Sequence, residues 1–241
     1  MRLNVGLIFP QIVREKMNKL LTTVLALAAV SLAGIANIAS AQDIVGDAKA
    51  GHAKVDMCLG CHSIVGYQAS FPEVHKVPKI SGQGAKYIIS ALNAYKKGER
   101  KHPTMRGISD SLSDQDMADV AAYYSASGVV AAATLPAKPT VQPSAQVAAL
   151  LTKGACVSCH GDNFSKPIDP TYPKIAGQHA DYLYVALKSY KVEGNPLVGR
   201  SNAIMGGVAK QFSNAELKAI AGYVHSLDGE LKVVPQSRFR Y

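Results

Sequence analysis

The sequence predicts an all-α protein made of two similar halves in tandem. The pentapeptide Cys-Leu-Gly-Cys-His at residues 58–62 recurs as Cys-Val-Ser-Cys-His at residues 156–160. The hexapeptide Pro-Lys-Ile-Ser-Gly-Gln at residues 78–83 recurs in the same order as Pro-Lys-Ile-Ala-Gly-Gln at residues 173–178. Apolar residues recur at helical spacing in both halves, and strand signals are weak throughout. A duplicated helical unit accounts for all three observations.

The first two helices of each half are predicted from the spacing of their apolar residues. The first helix runs directly into the cysteine pair, which places that pair at the end of the helix and in the turn after it. The predicted first helices cover residues 47–57 and 144–155. The second helix presents aromatic and aliphatic side chains on one face. The predicted second helices cover residues 85–97 and 180–192.

The third helix of each half begins at a predicted capping box. In this motif a serine oxygen accepts a hydrogen bond from a backbone amide, and an acidic side chain three residues later favours the positive end of the helix. The boxes are Ser113 with Asp116 and Ser213 with Glu216. A long loop is expected between the second and third helices of each half.

A proline-rich segment separates the two halves. Residues 128–143 contain three of the 12 prolines among alanine, valine and threonine, a composition typical of an interdomain linker. We therefore expect an N-terminal domain over residues 42–127 and a C-terminal domain over residues 144–241.

The first 41 residues have the pattern of an export signal. Three basic residues precede an apolar run over residues 20–33, and Ala-Ser-Ala at residues 39–41 matches a cleavage site. Met17 is an alternative translation start, because residues 17–41 already form a complete signal. An uncleaved anchor is the alternative, but the run is shorter than a bilayer span requires. We expect a periplasmic protein with no stable membrane span after cleavage.

Charge and cysteine content exclude two other classes. The chain carries 26 Lys and Arg against 17 Asp and Glu, a net charge of +9, which falls to +6 without residues 1–41. No run of five basic residues occurs, so a nucleic-acid partner is not expected. Four cysteines are too few for a disulfide framework in a chain of this length.

The spacing Cys-x-x-Cys-His predicts covalent attachment of haem. Two thiols three positions apart can add to both vinyl groups of one haem, and the adjacent histidine can then ligate the iron. A zinc site would need further ligands at matching spacing, and a thioredoxin-like pair belongs near a βαβ pattern that is missing here. Two haem c groups are therefore predicted. The attachment and proximal residues are Cys58, Cys61, His62, Cys156, Cys159 and His160.

The repeat also selects candidates for the sixth iron ligand. A ligand to equivalent haems should have an equivalent in the other half, and Met105 and Met205 correspond at an offset of 100 residues. Met57 corresponds to Ala155, and Met117 to Leu217, so these methionines are interpreted as packing residues. No histidine outside the motifs has an equivalent in the other half, so each is interpreted as a surface or locally bonded residue. These are His52, His75, His102, His179 and His225.

Further repeated residues are candidates for supporting roles around the haems. The carbonyls of Pro78 and Pro173 can accept from the second nitrogen of each proximal histidine. Arg100 and Arg200 can pair with haem propionates, or they can be solvated. The tyrosine pairs can contact the haems or pack in the core. These pairs are Tyr87 with Tyr182, Tyr95 with Tyr190, and Tyr123 with Tyr223.

From residue 43 to about residue 227 the chain resembles the dihaem cytochromes c of the cytochrome c4 family. The resemblance is carried by both Cys-x-x-Cys-His motifs, both Pro-Lys-Ile-x-Gly-Gln segments, Met105, Met205 and the segment Leu-Ser-Asp-Gln-Asp-Met-Ala-Asp at residues 112–119. It implies two class I cytochrome c domains related by pseudo-two-fold symmetry, His/Met ligation and periplasmic electron transfer. Ser63 stands where the second half has Gly161, so the loops after the two motifs are expected to differ.

The ligand set predicts an electron carrier and not an enzyme. With His and Met on each iron, no coordination position remains for a substrate, and no acid–base cluster repeats. The expected partners are membrane or soluble redox proteins such as a terminal oxidase, a quinol-oxidising complex or a dehydrogenase. The alternatives are the dihaem subunit of a larger dehydrogenase, such as a flavin-linked sulfide dehydrogenase, and a dihaem peroxidase.

Overall fold

The computed structural model of the chain describes residues 44–129 and 135–236. The expected export signal, residues 1–41, lies outside the described residues, as do residues 130–134 of the predicted linker. Within the described ranges, no helix has the length and apolar character needed to cross a membrane.

The all-α prediction is confirmed, because the strands in the described residues are only two residues long. The N-terminal half contains α1 Ala48–His52, α2 Asp56–His62, β1 Gln68–Ala69, β2 His75–Lys76, α3 Ala85–Lys96, β3 Arg100–Lys101, α4 Pro103–Asp110 and α5 Asp114–Ala126. The C-terminal half contains α6 Ala145–Lys153, α7 Cys156–His160, α8 Ala180–Ser189, β4 Gly199–Arg200, α9 Ala203–Ala209 and α10 Asn214–Ser226.

The predicted first helix is wrong in its extent, because each half divides it into two short helices. In the N-terminal half α1 ends at His52, and α2 begins at Asp56 and contains the cysteine pair. In the C-terminal half the break falls at Ala155, whose φ of 48° is left-handed. A residue in that conformation cannot continue a right-handed helix. The cysteines therefore lie within their own helices and not in a turn after the first one.

The predicted long loop between the second and third helices is also wrong, because it contains a further helix in each half. α4 and α9 each start at a polar residue whose side chain accepts from the amide of a methionine three positions later. The capping boxes of the third helices, by contrast, are confirmed. In both α5 and α10 the serine and the acidic side chain bond reciprocally to backbone amides.

Each half buries its own hydrophobic core. The third helices supply the centre of both cores through equivalent positions, with Met117 and Leu217 almost fully buried. In the N-terminal half α1 packs directly on α5. A Cβ on Gly51 would lie 2.0 Å from the carbonyl oxygen of Asp119, so only glycine permits this approach. Met117 thus has the predicted packing role, whereas Met57 is half exposed.

The two halves join along an interface built from equivalent residues. β3 pairs antiparallel with β4, and Arg100 lies opposite Arg200 in the register. Because each arginine faces its own counterpart, the pairing has local two-fold symmetry. The described part of the linker contacts the C-terminal half. The side-chain amide of Asn163 donates a hydrogen bond to the Pro136 carbonyl oxygen at 2.8 Å.

Candidate haem-binding site

The cysteine pairs lie on α2 and α7, at positions that present both thiols of each pair beside a histidine. All four cysteines are half-buried, and none of them forms a disulfide. Burial raises the pKa of Cys58 to about 11 and also raises the pKa of Cys156.

The histidine that follows each cysteine pair is held by a backbone carbonyl. His62 Nδ1 lies 2.8 Å from the Pro78 oxygen, and His160 Nδ1 lies 3.1 Å from the Pro173 oxygen. A carbonyl can only accept, so Nδ1 carries the proton in both rings and Nε2 keeps its lone pair. Burial lowers the pKa of both histidines, which favours the neutral imidazole. The geometry anticipated from the proline spacing is thus present.

Met105 and Met205 occupy equivalent places in the first turns of α4 and α9. The Met105 amide lies 3.4 Å from Nδ1 of His102, and the Met205 amide donates to Oδ1 of Asn202 at 2.9 Å. Both thioethers are half-buried. The methionines are therefore placed by capped helices, where the sequence had predicted a loop.

All eight predicted attachment and ligand residues line one cavity of about 670 Å³ that extends through both halves. Its walls include buried aliphatic side chains from both cores, among them Ile88, Leu92, Leu183 and Ile220. Paired thiols, an imidazole with a free Nε2 and a thioether in an apolar cavity form the donor set expected for covalently bound haem. The residues present therefore fit two haem c groups.

The other candidate residues divide into those that reach the cavity and those that do not. Arg100, Arg200 and the tyrosine pairs Tyr87 with Tyr182 and Tyr95 with Tyr190 line it. The third pair does not belong to the lining. Tyr123 instead packs against His52 and Tyr124, and Tyr223 donates to the Val141 carbonyl at 3.2 Å.

The unpaired histidines match the predicted surface or local bonding only in part. His75 bonds locally, whereas the exposed His52 and His225 contact residues far along the chain. His225 Nδ1 bonds to the Gln178 carbonyl, and His75 Nδ1 bonds to the Glu73 carbonyl, both at 2.8 Å. Burial lowers the pKa of His179 to about 4. His75 and His102 also line the cavity, a placement that the absence of equivalents in the other half did not indicate.

The interface between the halves contains a reciprocal set of hydrogen bonds that sequence reasoning missed. Gln83 donates to the Lys174 carbonyl and accepts from the Lys174 amide, at 2.9 and 3.0 Å. Gln178 makes the same pair of bonds to the backbone of Lys79, both at 2.9 Å. All four residues belong to the repeated Pro-Lys-Ile-x-Gly-Gln segments. Their repetition was visible in the sequence, but its role in joining the halves was not.

The loops after the two motifs differ, as the exchange of glycine for serine predicted. Gly161 has a φ of 77°, and a Cβ there would lie 2.2 Å from the Lys166 carbonyl oxygen. Ser63 instead ends α2 with a φ of −108°. The second loop therefore requires glycine, whereas the first adopts a conformation open to any residue.

Both halves match the family model for cytochrome c, over residues 48–125 and 144–228. The matched segments contain both Cys-x-x-Cys-His motifs and both methionine-bearing helices. The molecule is accordingly a c-type cytochrome with two haem-binding halves.

The chain is 32% identical to cytochrome c4 of Azotobacter vinelandii over 222 residues, which cover 88% of this chain and all of that protein. The crystal structure of reduced recombinant cytochrome c4 from Pseudomonas stutzeri matches with a TM-score of 0.52 and 29% identity, covering 76% of this chain and all of the other. The chain belongs to the cytochrome c4 family. It carries two covalently attached haem c groups and is an electron carrier, not an enzyme.

A more distant relative is the thiosulfate dehydrogenase electron acceptor of Stutzerimonas stutzeri. It is 29% identical over 176 residues, which cover 69% of this chain and 76% of the relative.

Proposed function

We propose that this protein is a periplasmic cytochrome that relays electrons singly between redox partners of a respiratory chain. The observation that carries the proposal is the shared cavity, which is lined by the cysteines, histidines and methionines of both halves. Hydrogen bonds between side chains and backbone join the halves beside it. Two haem sites joined in this way suit an electron relay, because electron transfer between haems requires that they be held close together.

We assign the haem-binding roles residue by residue. Cys58 and Cys61 attach one haem, and His62 and Met105 ligate its iron. Cys156 and Cys159 attach the other, and His160 and Met205 ligate its iron. When bound, the haem iron supplies one-electron redox chemistry, and His/Met ligation raises its potential.

The protein residues keep each proposed ligand in one orientation. The hydrogen bonds from His62 and His160 to proline carbonyls fix the imidazole tautomer. They also make Nε2 of each ring a more basic ligand for iron. The side-chain caps of α4 and α9 fix the backbone on which the methionines lie. This arrangement restrains geometric change at the iron, and small geometric change favours fast outer-sphere transfer.

The proposed location and domain boundaries follow from the sequence. Residues 1–41 have the order of basic, apolar and small residues found in export signals. We place the N-terminal haem domain at residues 42–127, the linker at residues 128–143 and the C-terminal haem domain at residues 144–241. Each half has its own buried core, which supports two domains.

The proposed partners are membrane or soluble redox proteins, among which a terminal oxidase, a quinol-oxidising complex and a dehydrogenase are the candidates. The likeness to a thiosulfate dehydrogenase electron acceptor favours a dehydrogenase as one electron donor. The alternatives remain a stable subunit of a larger dehydrogenase, such as a flavin-linked sulfide dehydrogenase, and a dihaem peroxidase. The peroxidase would require an open iron position, which the two methionines oppose.

Stopped-flow mixing tests the relay. The oxidised holoprotein is mixed in turn with a quinol-oxidising complex and its quinol, and with a thiosulfate dehydrogenase and thiosulfate. The reduced protein is then mixed with a terminal oxidase. We expect reduction of both haems by at least one donor and reoxidation by the oxidase. Failure with every partner, together with copurification of a catalytic chain or peroxidase activity, would contradict the proposal.

A further inference from the structure

The third helix of each half presents one almost fully buried side chain to the haem cavity. In the N-terminal half this residue is Tyr124, and at an offset of 100 residues the C-terminal half has Val224. Both are 2% exposed. Cys58 packs against the core that contains Tyr124, and Cys156 packs against the core that contains Val224. The two positions are therefore equivalent, but only the N-terminal one carries a polar group.

In the described part of the chain, the Tyr124 hydroxyl is buried without a hydrogen-bond partner. Two contacts fix the residue. Its ring packs edge-on against Tyr123 at a centroid distance of 5.1 Å, and its carbonyl accepts from the Gly82 amide at 2.8 Å. Burying a hydroxyl that makes no hydrogen bond is unfavourable. This hydroxyl therefore requires an acceptor in the occupied cavity.

The sulfur of Cys58 is the candidate acceptor. Burial raises the pKa of the Tyr124 hydroxyl, and the Cys58 thiol raises it further, an effect that requires the two groups to lie close together. When Cys58 adds to a haem vinyl group, its sulfur bonds to one vinyl carbon and its hydrogen passes to the other. The resulting thioether sulfur has lone pairs but no proton, so it can only accept. The hydroxyl is then the donor.

We propose that Tyr124 is a positioning residue that acts on the N-terminal haem through Cys58, by donating a hydrogen bond from its hydroxyl to the thioether sulfur. This bond draws electron density from the sulfur and from the macrocycle attached to it. The loss of density opposes the extra positive charge of the ferric state, so the hydroxyl raises the midpoint potential of the N-terminal haem. Val224 offers no hydrogen bond to the C-terminal haem. Tyr124 thus contributes to the difference in potential between the two haems.

The inference rests on the proposed attachment of haem by Cys58 and Cys61. The haem content of the parent protein tests that attachment separately. A parent with only one covalent haem would overturn the proposed function, whereas two haems and no effect of the hydroxyl would overturn only the role of Tyr124.

The test uses the full-length holoprotein and compares Tyr124→Phe with Tyr123→Phe. Both changes remove one oxygen and keep the ring. Tyr123 is the matched control, because it lies on the same helix but does not line the cavity. Proton NMR during a redox titration follows the methyl signals of each haem, which are assigned to a half by their contacts with its core residues. The titration therefore gives the midpoint potential of each haem.

We expect Tyr124→Phe to lower the N-terminal midpoint potential more than the C-terminal one and to shift a resonance Raman band of the carbon–sulfur bond. Tyr123→Phe should leave both potentials and the band unchanged. An unchanged N-terminal potential in Tyr124→Phe, even with reduced stability, would overturn the proposal, because a purely structural role affects stability alone. A lowered potential without a shift of the band would contradict donation to the Cys58 sulfur.

A second replacement provides the test if Tyr124→Phe fails to bind haem. Site-specific replacement of Tyr124 by 3-fluorotyrosine keeps the hydroxyl and makes it more acidic, so it becomes a stronger donor. A higher N-terminal midpoint potential supports the proposal, and an unchanged or lower one contradicts it.

Discussion

The N-terminal and C-terminal halves place the same donors on the same elements but surround them differently. The caps of the methionine-bearing helices are His102 in one half and Asn202 in the other. A buried tyrosine, Tyr124, lines the cavity in the N-terminal half, where the C-terminal half has Val224. The residues common to both halves include the proposed haem ligands and the glutamines that join the halves. The residues that differ line the cavity differently in each half, and we propose that they give each haem its own environment.

The largest expected effect comes from removing one cysteine pair. The double variant Cys58→Ala with Cys61→Ala cannot form thioether bonds in the N-terminal half, so the haemochrome assay should give one covalent haem per chain in place of two. The C-terminal haem should remain, because that half has its own core. Ser158→Ala, a change between the cysteines of the other motif, serves as the control and should keep both haems. Two covalent haems in the double variant would show that Cys58 and Cys61 do not attach haem.

Removing one methionine should break the equivalence of the two irons. Met205→Ala should lose about half of the weak far-red sulfur-to-iron band of the oxidised protein, because one of two thioether ligands is gone. The ferrous variant should then bind one carbon monoxide. Met117→Leu is the matched control, since Met117 is a fully buried core residue, and both spectra should be unchanged. An undiminished band in Met205→Ala would mean that another residue ligates this iron.

Removing a glutamine bridge should weaken the joint between the halves. Gln83→Ala loses two hydrogen bonds to the Lys174 backbone, which corresponds to about 2 kcal/mol of unfolding free energy. Chemical denaturation of the holoprotein measures this loss. Gln142→Ala is the control, because the hydrogen bond that Gln142 makes within the described residues goes to the nearby Pro139 carbonyl in an exposed segment. Equal stability of the two variants would contradict a structural role for the bridge.

A smaller effect should appear in the stability of the protein at low pH, because one carboxylate of the N-terminal half has no equivalent in the C-terminal half. The Asp119 carboxylate accepts from the Asp47 amide and from Lys54, which hold its pKa below the usual range. The C-terminal half has Ala219 at this position. A depressed folded-state pKa stabilises the protein above the unfolded-state value of about 3.9, and this stabilisation is lost as pH falls through the folded-state pKa. Acidification should therefore remove a stabilising contribution that the N-terminal half has at this position and the C-terminal half does not.

The measurement is the unfolding free energy at neutral pH and at about pH 3. Asp119→Asn should be less stable than the parent at neutral pH and should lose less stability on acidification. The exposed Asp114, on the same helix, provides the control Asp114→Asn. A parent-like loss of stability in Asp119→Asn would assign the acid sensitivity to other groups.

Much of the site was predictable because the duplication acts as an internal comparison. The cysteine spacing indicated haem attachment, and the offset of 100 residues singled out Met105 and Met205 from the other methionines. The capping boxes were equally visible, since they depend on residues only three positions apart. Features determined by local chemistry were therefore accessible from the sequence.

The errors concern features that depend on backbone conformation and distant contacts. Nothing in the local pattern indicates that Ala155 is left-handed, so one first helix was predicted where the structure has two. The short helix α4 has a polar, glycine-containing sequence, and its start depends on a histidine cap that is uncommon. The facing of Arg100 and Arg200 depends on strand pairing between residues 100 positions apart, which periodicity cannot reveal.

The most direct test of the account is whether each haem responds to the charge of the other. In Met205→Ala, carbon monoxide should bind the C-terminal iron and keep it ferrous. The midpoint potential of the N-terminal haem can then be measured in the presence and in the absence of carbon monoxide. Without carbon monoxide the C-terminal iron, having lost its methionine, is oxidised first, and its positive charge opposes oxidation of the other haem. We expect carbon monoxide to lower the N-terminal midpoint potential in Met205→Ala. An unchanged potential would show that the haems do not interact and would contradict the relay.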